Sequence, residues 1–460
     1  MTPFLVGWGI ARRWTPACRL PILAALRRCQ GQAAKAPGPF TTVTPTIPEI
    51  FVLWHPSSAL GETLARRVHA WLRPGNGLGP EVFYRCLPDP QAPGGLPPPL
   101  PGEVRPEGAT PTGGPANLQI ALLLIDCHMI ADAGWRYWLA RLTLTPGAGR
   151  RVLLPVALDA TAYNVPDSLR PLNFLRPAGL PLPAFDDLAA SDALEAVARS
   201  LLKQLTETLC WLLLGEDEAG GVPGAVTADT ADRPKVTIFL SHAKADGAHP
   251  ARRIRDHIYS KTQLAAFYDE NDIPFGSGFA EVLKRNLDQA HTAALIAVRS
   301  ARYATRPWCR RELSLFRKPQ RDAGAPGAAE QWRLSPVLVV DALEGGTRTP
   351  GIPEFGNAPL IRWSEDVPDQ EEQIVTTVLR DALLASYHAA VGRLMRDAPD
   401  RIVLNWVPDP TTLLQIPRVR KADEELEILY PGRGLTGLEL DILSDPFPQL
   451  TFRSFDQDEA

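Results

Sequence analysis

The strongest constraint on the fold is a short apolar run, Lys235-Val-Thr-Ile-Phe-Leu240, which closes on Ser241-His242. A continuous run of this kind suits a strand buried on both faces, the condition of a parallel sheet. Ile254 and Ile258, four apart within 251–260, then form a helix stripe. Leu264 to Tyr268 gives a second strand, ending at Asp269. The turn residues Asn271, Pro274, Gly276 and Gly278 make 270–278 a loop. Phe279, Val282, Leu283, Leu287 and Ala290 recur at helical spacing, and Ala293 to Val298 is a third strand. Pro336 to Val340 is a fourth, and 370–394 reads as a long closing helix. Parallel neighbours need right-handed crossovers, so this alternation predicts an α/β fold with a doubly wound sheet.

The same order of elements occurs earlier in the chain. Ile50 to His55 answers Thr237 to His242, both runs closing on a histidine. Val82-Phe83-Tyr84 answers Ala266-Phe267-Tyr268, and Ile120 to Ile125 answers Ala293 to Val298. Leu154 to Asp159 stands where Ser335 to Val340 stands, and 194–214 is the matching closing helix. An internal duplication is the expectation.

Two stretches rich in small and breaker residues divide the chain. The proline-rich segment 88–115 cannot pack as helix or central strand and interrupts the first unit. The acidic segment 216–233 is the expected linker. The expected order is an extension (1–47), a first unit (48–215), the linker, a second unit (234–396) and a small α/β appendage (397–460). The extension carries Arg12, Arg13, Arg19, Arg27, Arg28 and Lys35 but no acid before Glu49. That is the composition of a transit peptide or of a bland basic extension. The appendage suggests no chemistry.

The net charge of −4 gives no overall basic field for nucleic acid or anionic lipid. Six scattered cysteines without a C-x-x-C pair speak for a reducing compartment and against a disulfide framework or a zinc site. No apolar run reaches membrane-spanning length, so a cytoplasmic protein is expected. No Walker lysine loop supports ATP hydrolysis.

The second unit resembles a bacterial Toll/interleukin-1 receptor (TIR) domain. The resemblance rests on four features in order over 235–394. They are the strand with Ser241-His242, the Phe267-Tyr268-Asp269 strand end, the Pro274-Phe275-Gly276-Ser277-Gly278 loop, and the box Ser300…Tyr303…Trp308-Cys309-x-x-Glu312. It implies a five-stranded flavodoxin-like sheet with ligands at the carboxyl ends of the strands. It also implies cleavage of NAD at the nicotinamide–ribose bond, with Glu312 as the residue required. The leaving pyridinium is already activated, so one carboxylate facing the ribosyl cation replaces the usual pair. Ser241, His242, Lys244 and Tyr268 are candidates to orient the substrate, Phe275, Gly276 and Ser277 to close over it, and Trp308 to fix the helix start or face the pocket. NAD is then a substrate, and neither cofactor nor metal is expected.

Each residue also has a plainer reading. Glu312 near a helix start could serve the helix dipole. Trp308 could be a packing anchor, His242 a strand-end hydrogen bonder, and Cys309 a small buried filler. A hydrolase triad of Ser241, His242 and Asp246 is disfavoured, because the fold and not adjacency assembles triads. In the first unit Leu139 stands where the second has Glu312, counting from Trp135 and Trp308. A degenerate TIR-like copy, inert and kept for pairing or sensing, is therefore expected. The resemblance implies an assembly-activated NAD glycohydrolase or cyclase in bacterial antiviral defence, self-associating through TIR domains. A protein or a nucleotide signal is the expected activator. The competing reading is a non-enzymatic adaptor.

Overall fold

The computed structural model describes residues 47–73, 79–86, 100, 118–144, 151–180, 192–214, 236–262, 264–268, 292–322, 329–343, 350–395, 398–420 and 425–457. Strands β1 (Pro48–Trp54), β2 (Glu81–Arg85), β3 (Leu118–Ile125) and β4 (Arg151–Ala157) form a parallel sheet in the order β2-β1-β3-β4. A single parallel bridge from Val156 to Leu175 adds one more position beyond β4.

The second sheet begins with β5 (Thr237–His242), β6 (Ala265–Tyr268) and β7 (Thr292–Arg299). Two short strands then leave it, β8 (Gln320–Arg321) and β9 (Glu330–Arg333). The chain returns with β10 (Val337–Asp341) and β11 (Leu360–Arg362), giving the parallel order β11-β10-β7-β5-β6. Counted within the sheet this is 2-1-3-4-5, the flavodoxin-like order, and the first sheet follows its first four places. Two parallel sheets joined by helices are what the apolar runs required.

Alternate residues of each strand face opposite sides, so every sheet has two apolar faces to cover. Ile50, Val52, Ile120 and Leu122 of the first sheet point toward α1 (Ala59–Leu72) and α4 (Asp192–Leu214). Its other face, with Phe51, Leu53 and Leu123, packs on α2 (Cys127–Ala131) and α3 (Ala133–Leu144). In the second sheet Ile238, Leu240, Ile296 and Val298 face α5 (Ala248–Lys261) and α7 (Gln370–Gly392). Phe239, Leu295 and Ala297 face α6 (Pro307–Phe316).

The inward faces of both sheets and the helices between them belong to one continuous core. Helices α4 and α7 meet along their length, with Leu201, Leu205 and Leu209 in the same core as Val378, Leu379 and Leu383. The Cys210 thiol donates to the Leu379 carbonyl at 3.3 Å, and the Arg380 guanidinium lies 4.5 Å from the centre of the Trp71 ring.

The third sheet has the order β14-β13-β12-β9-β8, with β12 (Arg401–Leu404), β13 (Leu426–Tyr430) and β14 (Leu450–Ser454). Only the β8–β9 pair is antiparallel. The C-terminal segment therefore does not complete its sheet alone, since two strands come from between α6 and β10. Glu330-Gln-Trp-Arg333 carries one apolar residue, so nothing in its sequence period marks it as a strand. The sheet is seated on the end of α7 through Tyr387, Val391, Val403, Leu429 and Phe455. Among the described residues no helix is long and apolar enough to cross a membrane.

His257 on α5 is half-buried, and burial holds its imidazole down at about 4, helped by the nearby charge of Lys203 on α4. Glu371, Lys261 and Asp369 also act on it, the two acids opposing the shift. A depressed histidine contributes stability that is complete above its ordinary value of 6.5 and is lost as pH falls toward 4. The urea midpoint of the whole chain should thus fall over that window. His257→Gln should flatten the upper part of it, above the carboxylate range; parallel curves for the two proteins would contradict this.

Candidate functional site

A doubly wound sheet opens a crevice where its strand order reverses, beyond the carboxyl ends of the strands. In the second sheet that point lies between β5 and β7. Strand β5 ends there with Ser241 and His242, both buried, and β7 is followed by Ser300 and Tyr303. Helix α6 then passes the same edge. Its inward face carries Cys309, Glu312, Leu313 and Phe316, all buried.

Glu312 is only 5% exposed. The Ser241 hydroxyl donates to its Oε2 at 2.6 Å. The same Ser241 oxygen lies 2.8 Å from the Tyr303 hydroxyl. With the serine proton committed to the carboxylate, the phenol donates to Ser241, which makes a chain Tyr303–Ser241–Glu312. Burial pushes the Tyr303 phenol well above its ordinary value, so it stays a donor. Its ring is fully enclosed and stacks on Phe355 with centroids 5.7 Å apart.

Glu312 is the sixth residue of α6, past the first turn in which a helix dipole acts. The dipole reading therefore does not account for it. Burying a carboxylate costs several kcal/mol of solvation unless it is well bonded, on the order of the penalty for any buried ion. Here that carboxylate stands at the crevice end of the sheet.

The neighbouring loop is fixed by Asp246, whose carboxylate accepts from the Ser300 hydroxyl at 2.6 Å and from the Arg302 amide at 2.8 Å. Asp246 is thereby tied to the β7 side, and Ser241 bonds a glutamate, so no Ser–His–Asp triad forms. The Cys309 thiol donates to the His242 carbonyl at 3.3 Å, pinning α6 to the end of β5. The small buried filler has a bonding role as well.

Other candidates sit elsewhere. Lys244 is exposed on the loop after β5. Tyr268 ends β6. Phe275, Gly276 and Ser277 lie outside the described residues. Ser241, expected to orient a substrate, is instead fully enclosed and orients Glu312.

Trp308 departs most from its packing role. It is 44% exposed, with the Arg311 guanidinium 5.3 Å from its ring centre. The enclosed aromatic of the box is Tyr303. The sequence names it within the box but carries no sign that its hydroxyl reaches Ser241, 62 positions away.

A family model described as TIR domain matches residues 238–375. Residues 238–375 form a TIR domain. No curated protein matches the chain. The matched span runs from β5 into α7 and so contains the whole Tyr303–Ser241–Glu312 chain.

The first sheet meets the same topology with different chemistry. Leu139 of α3 is fully buried on the outer face of that sheet, and Trp135 beside it is 2% exposed, unlike Trp308. The strand ends carry acids that are already engaged. Asp126 caps α2 by accepting from the Met129 amide, and Asp159 accepts from the Cys127 and Thr161 amides. Carboxylates thus occupy the amides that a pyrophosphate would use. Among the described residues no group of three or more His, Cys, Asp or Glu is placed to hold a metal.

The chain of hydroxyls is testable by stability. Ser241→Ala removes the link between Tyr303 and Glu312 and should cost about 2 kcal/mol. Tyr303→Phe removes only the outer hydroxyl and should cost about 1 kcal/mol. Urea unfolding would measure both, and the reverse order would show that the chain is not organised around Ser241.

Proposed function

We propose that the TIR domain of this protein cleaves NAD between nicotinamide and ribose, with Glu312 as the catalytic carboxylate. The supporting observation is a buried glutamate oriented by a serine at the switch point of a doubly wound sheet. In the reaction the N-glycosidic bond breaks and its electron pair leaves with the pyridinium nitrogen as neutral nicotinamide. Glu312 stabilises the ribosyl cation left behind, the largest kind of contribution a fixed charge makes. Water adds to that cation and releases a proton, giving ADP-ribose. Capture by an adenine nitrogen of the same molecule gives a cyclic product.

Ser241 acts in this reading as a positioning residue, fixing the carboxylate rather than touching the dinucleotide. Self-association through the TIR domain belongs to the same proposal, as does control by an activating protein or nucleotide. The first unit, with Leu139 and its engaged acids, has the part of an inert companion. A role in bacterial antiviral defence follows only from the TIR resemblance.

A scaffold reading has one observation in its favour: the outer face of α6 presents Trp308 and a row of arginines to solvent. A scaffold needs that surface and has no use for a buried glutamate.

Nicotinamide release from NAD by the purified chain separates the two. Glu312→Gln should lower kcat by about 100-fold or more, the scale of losing one preorganised charge. Ser241→Ala should lower kcat while leaving KM nearly unchanged, as expected for loss of an interaction made in the transition state. Full turnover by Glu312→Gln would end the proposed mechanism. Absence of turnover by the concentrated, self-associated wild-type protein would favour the scaffold.

A further inference from the structure

Helix α6 has a second face that the proposed cleavage does not use. Thr305, Pro307, Arg310, Arg311, Ser314 and Glu354 line a cavity of about 350 Å³ there. The spacing 307, 310, 311, 314 places this face opposite that of Glu312, Leu313 and Phe316. The helix body therefore separates the cavity from the glutamate.

The chain segment beside it is rich in cations. Between residues 299 and 321 the chain carries eight cations, namely seven arginines and Lys318, and the single acid Glu312, which is buried. Arg302, Arg306 and Arg311 are exposed on this side. Among the described residues Arg311 faces the Trp308 ring and no carboxylate. Arg310 is held by Glu354, its Nε 2.8 Å from Oε1. Glu354 in turn sits on a turn that Arg317 fixes, donating to the Phe355 carbonyl at 2.8 Å and to Asn357 at 3.2 Å. Gly356 allows that approach, with φ of 54° and no room for a Cβ beside the Arg317 guanidinium.

We propose that this cavity binds a small phosphate-bearing molecule, its phosphate on Arg311 and Arg310. Guanidinium groups match phosphate oxygens in pairs, and the Ser314 hydroxyl completes the donor set. The volume is that of a small-molecule site, at the lower end of the ~300–1,000 Å³ range. The whole chain has a net charge of −4, so this local field suits a compact anion better than a long nucleic acid. Glu354 is the built-in competitor, because a phosphate must share or take Arg310 from it.

The proposal does not rest on NAD cleavage, since its readout is binding. Calorimetric titration of the full chain with AMP, with adenosine, with inorganic phosphate and with a ten-nucleotide single strand is the test. AMP should bind once per chain, inorganic phosphate should compete with it, and adenosine should bind much more weakly. Arg311→Gln should weaken AMP by about tenfold or more, the loss of one charge-assisted contact. Glu354→Gln should strengthen it several-fold, by removing the competitor, whereas a purely structural Glu354 would give weakening or no change. Glu312→Gln should leave AMP binding as it was. Absence of AMP binding would overturn the proposal, as would binding insensitive to Arg311→Gln and Glu354→Gln, or binding lost in Glu312→Gln. Tighter binding of the oligonucleotide than of AMP, with several chains per strand, would assign the face to nucleic acid instead.

Discussion

A parallel sheet has no solvent face, and the described residues form two wholly parallel sheets that share one core. Their facing sides are covered by a shared layer in which α4 closes the first unit and α7 closes the second. Neither helix could bury its stripe as fully without the other. The packing of Leu205 and Leu209 with Leu379 and Leu383 therefore underlies both units at once. At roughly 1.5–3 kcal/mol for each fully buried aliphatic side chain, the shared layer is a large part of what holds the two sheets in one body. The third sheet follows from the same helix, because the last turns of α7 provide Tyr387 and Val391 for its core.

That arrangement frees the opposite face of the second sheet for chemistry. Helix α6 covers it with an inward stripe that is apolar except at Glu312. The carboxylate is tolerated because Ser241 meets it at the end of the central strand, and because Tyr303 completes the serine. The contacts close a small polar knot between β5, α6 and the turn after β7. Asp246 and Cys309 tie the flanking backbone to it. The first sheet, with the same leading strand order, fills the corresponding layer with Trp135, Trp138 and Leu139. Similar topology thus supports a polar site in one unit and a closed apolar face in the other.

The two faces of α6 differ as much as two faces of one helix can. One is enclosed and holds a single acid. The other is open and holds Pro307, Arg310, Arg311 and Ser314. The order Trp-Cys-Arg-Arg-Glu contains both patterns at once, and only the helical repeat separates them.

Much was legible in the order of residues alone. Apolar, β-rich runs located β1, β3, β5, β7 and β10, because a strand buried on both faces must be apolar throughout. The stripes of α4, α5 and α7 were equally plain, and so was Glu312 as the lone acid among cations. Tertiary structure decided the rest. The Ser241–Glu312 bond spans 71 positions, and no local period records which strand end a helix will cross. Trp308 is exposed because Cys309, Leu313 and Phe316 take the stripe turned to the sheet, a matter of helical phase. Strand β9 exists because β12 offers it an edge, which its own polar residues could not announce. Local sequence fixes which segments become strands and helices; the meeting of distant ends is settled by how the layers pack.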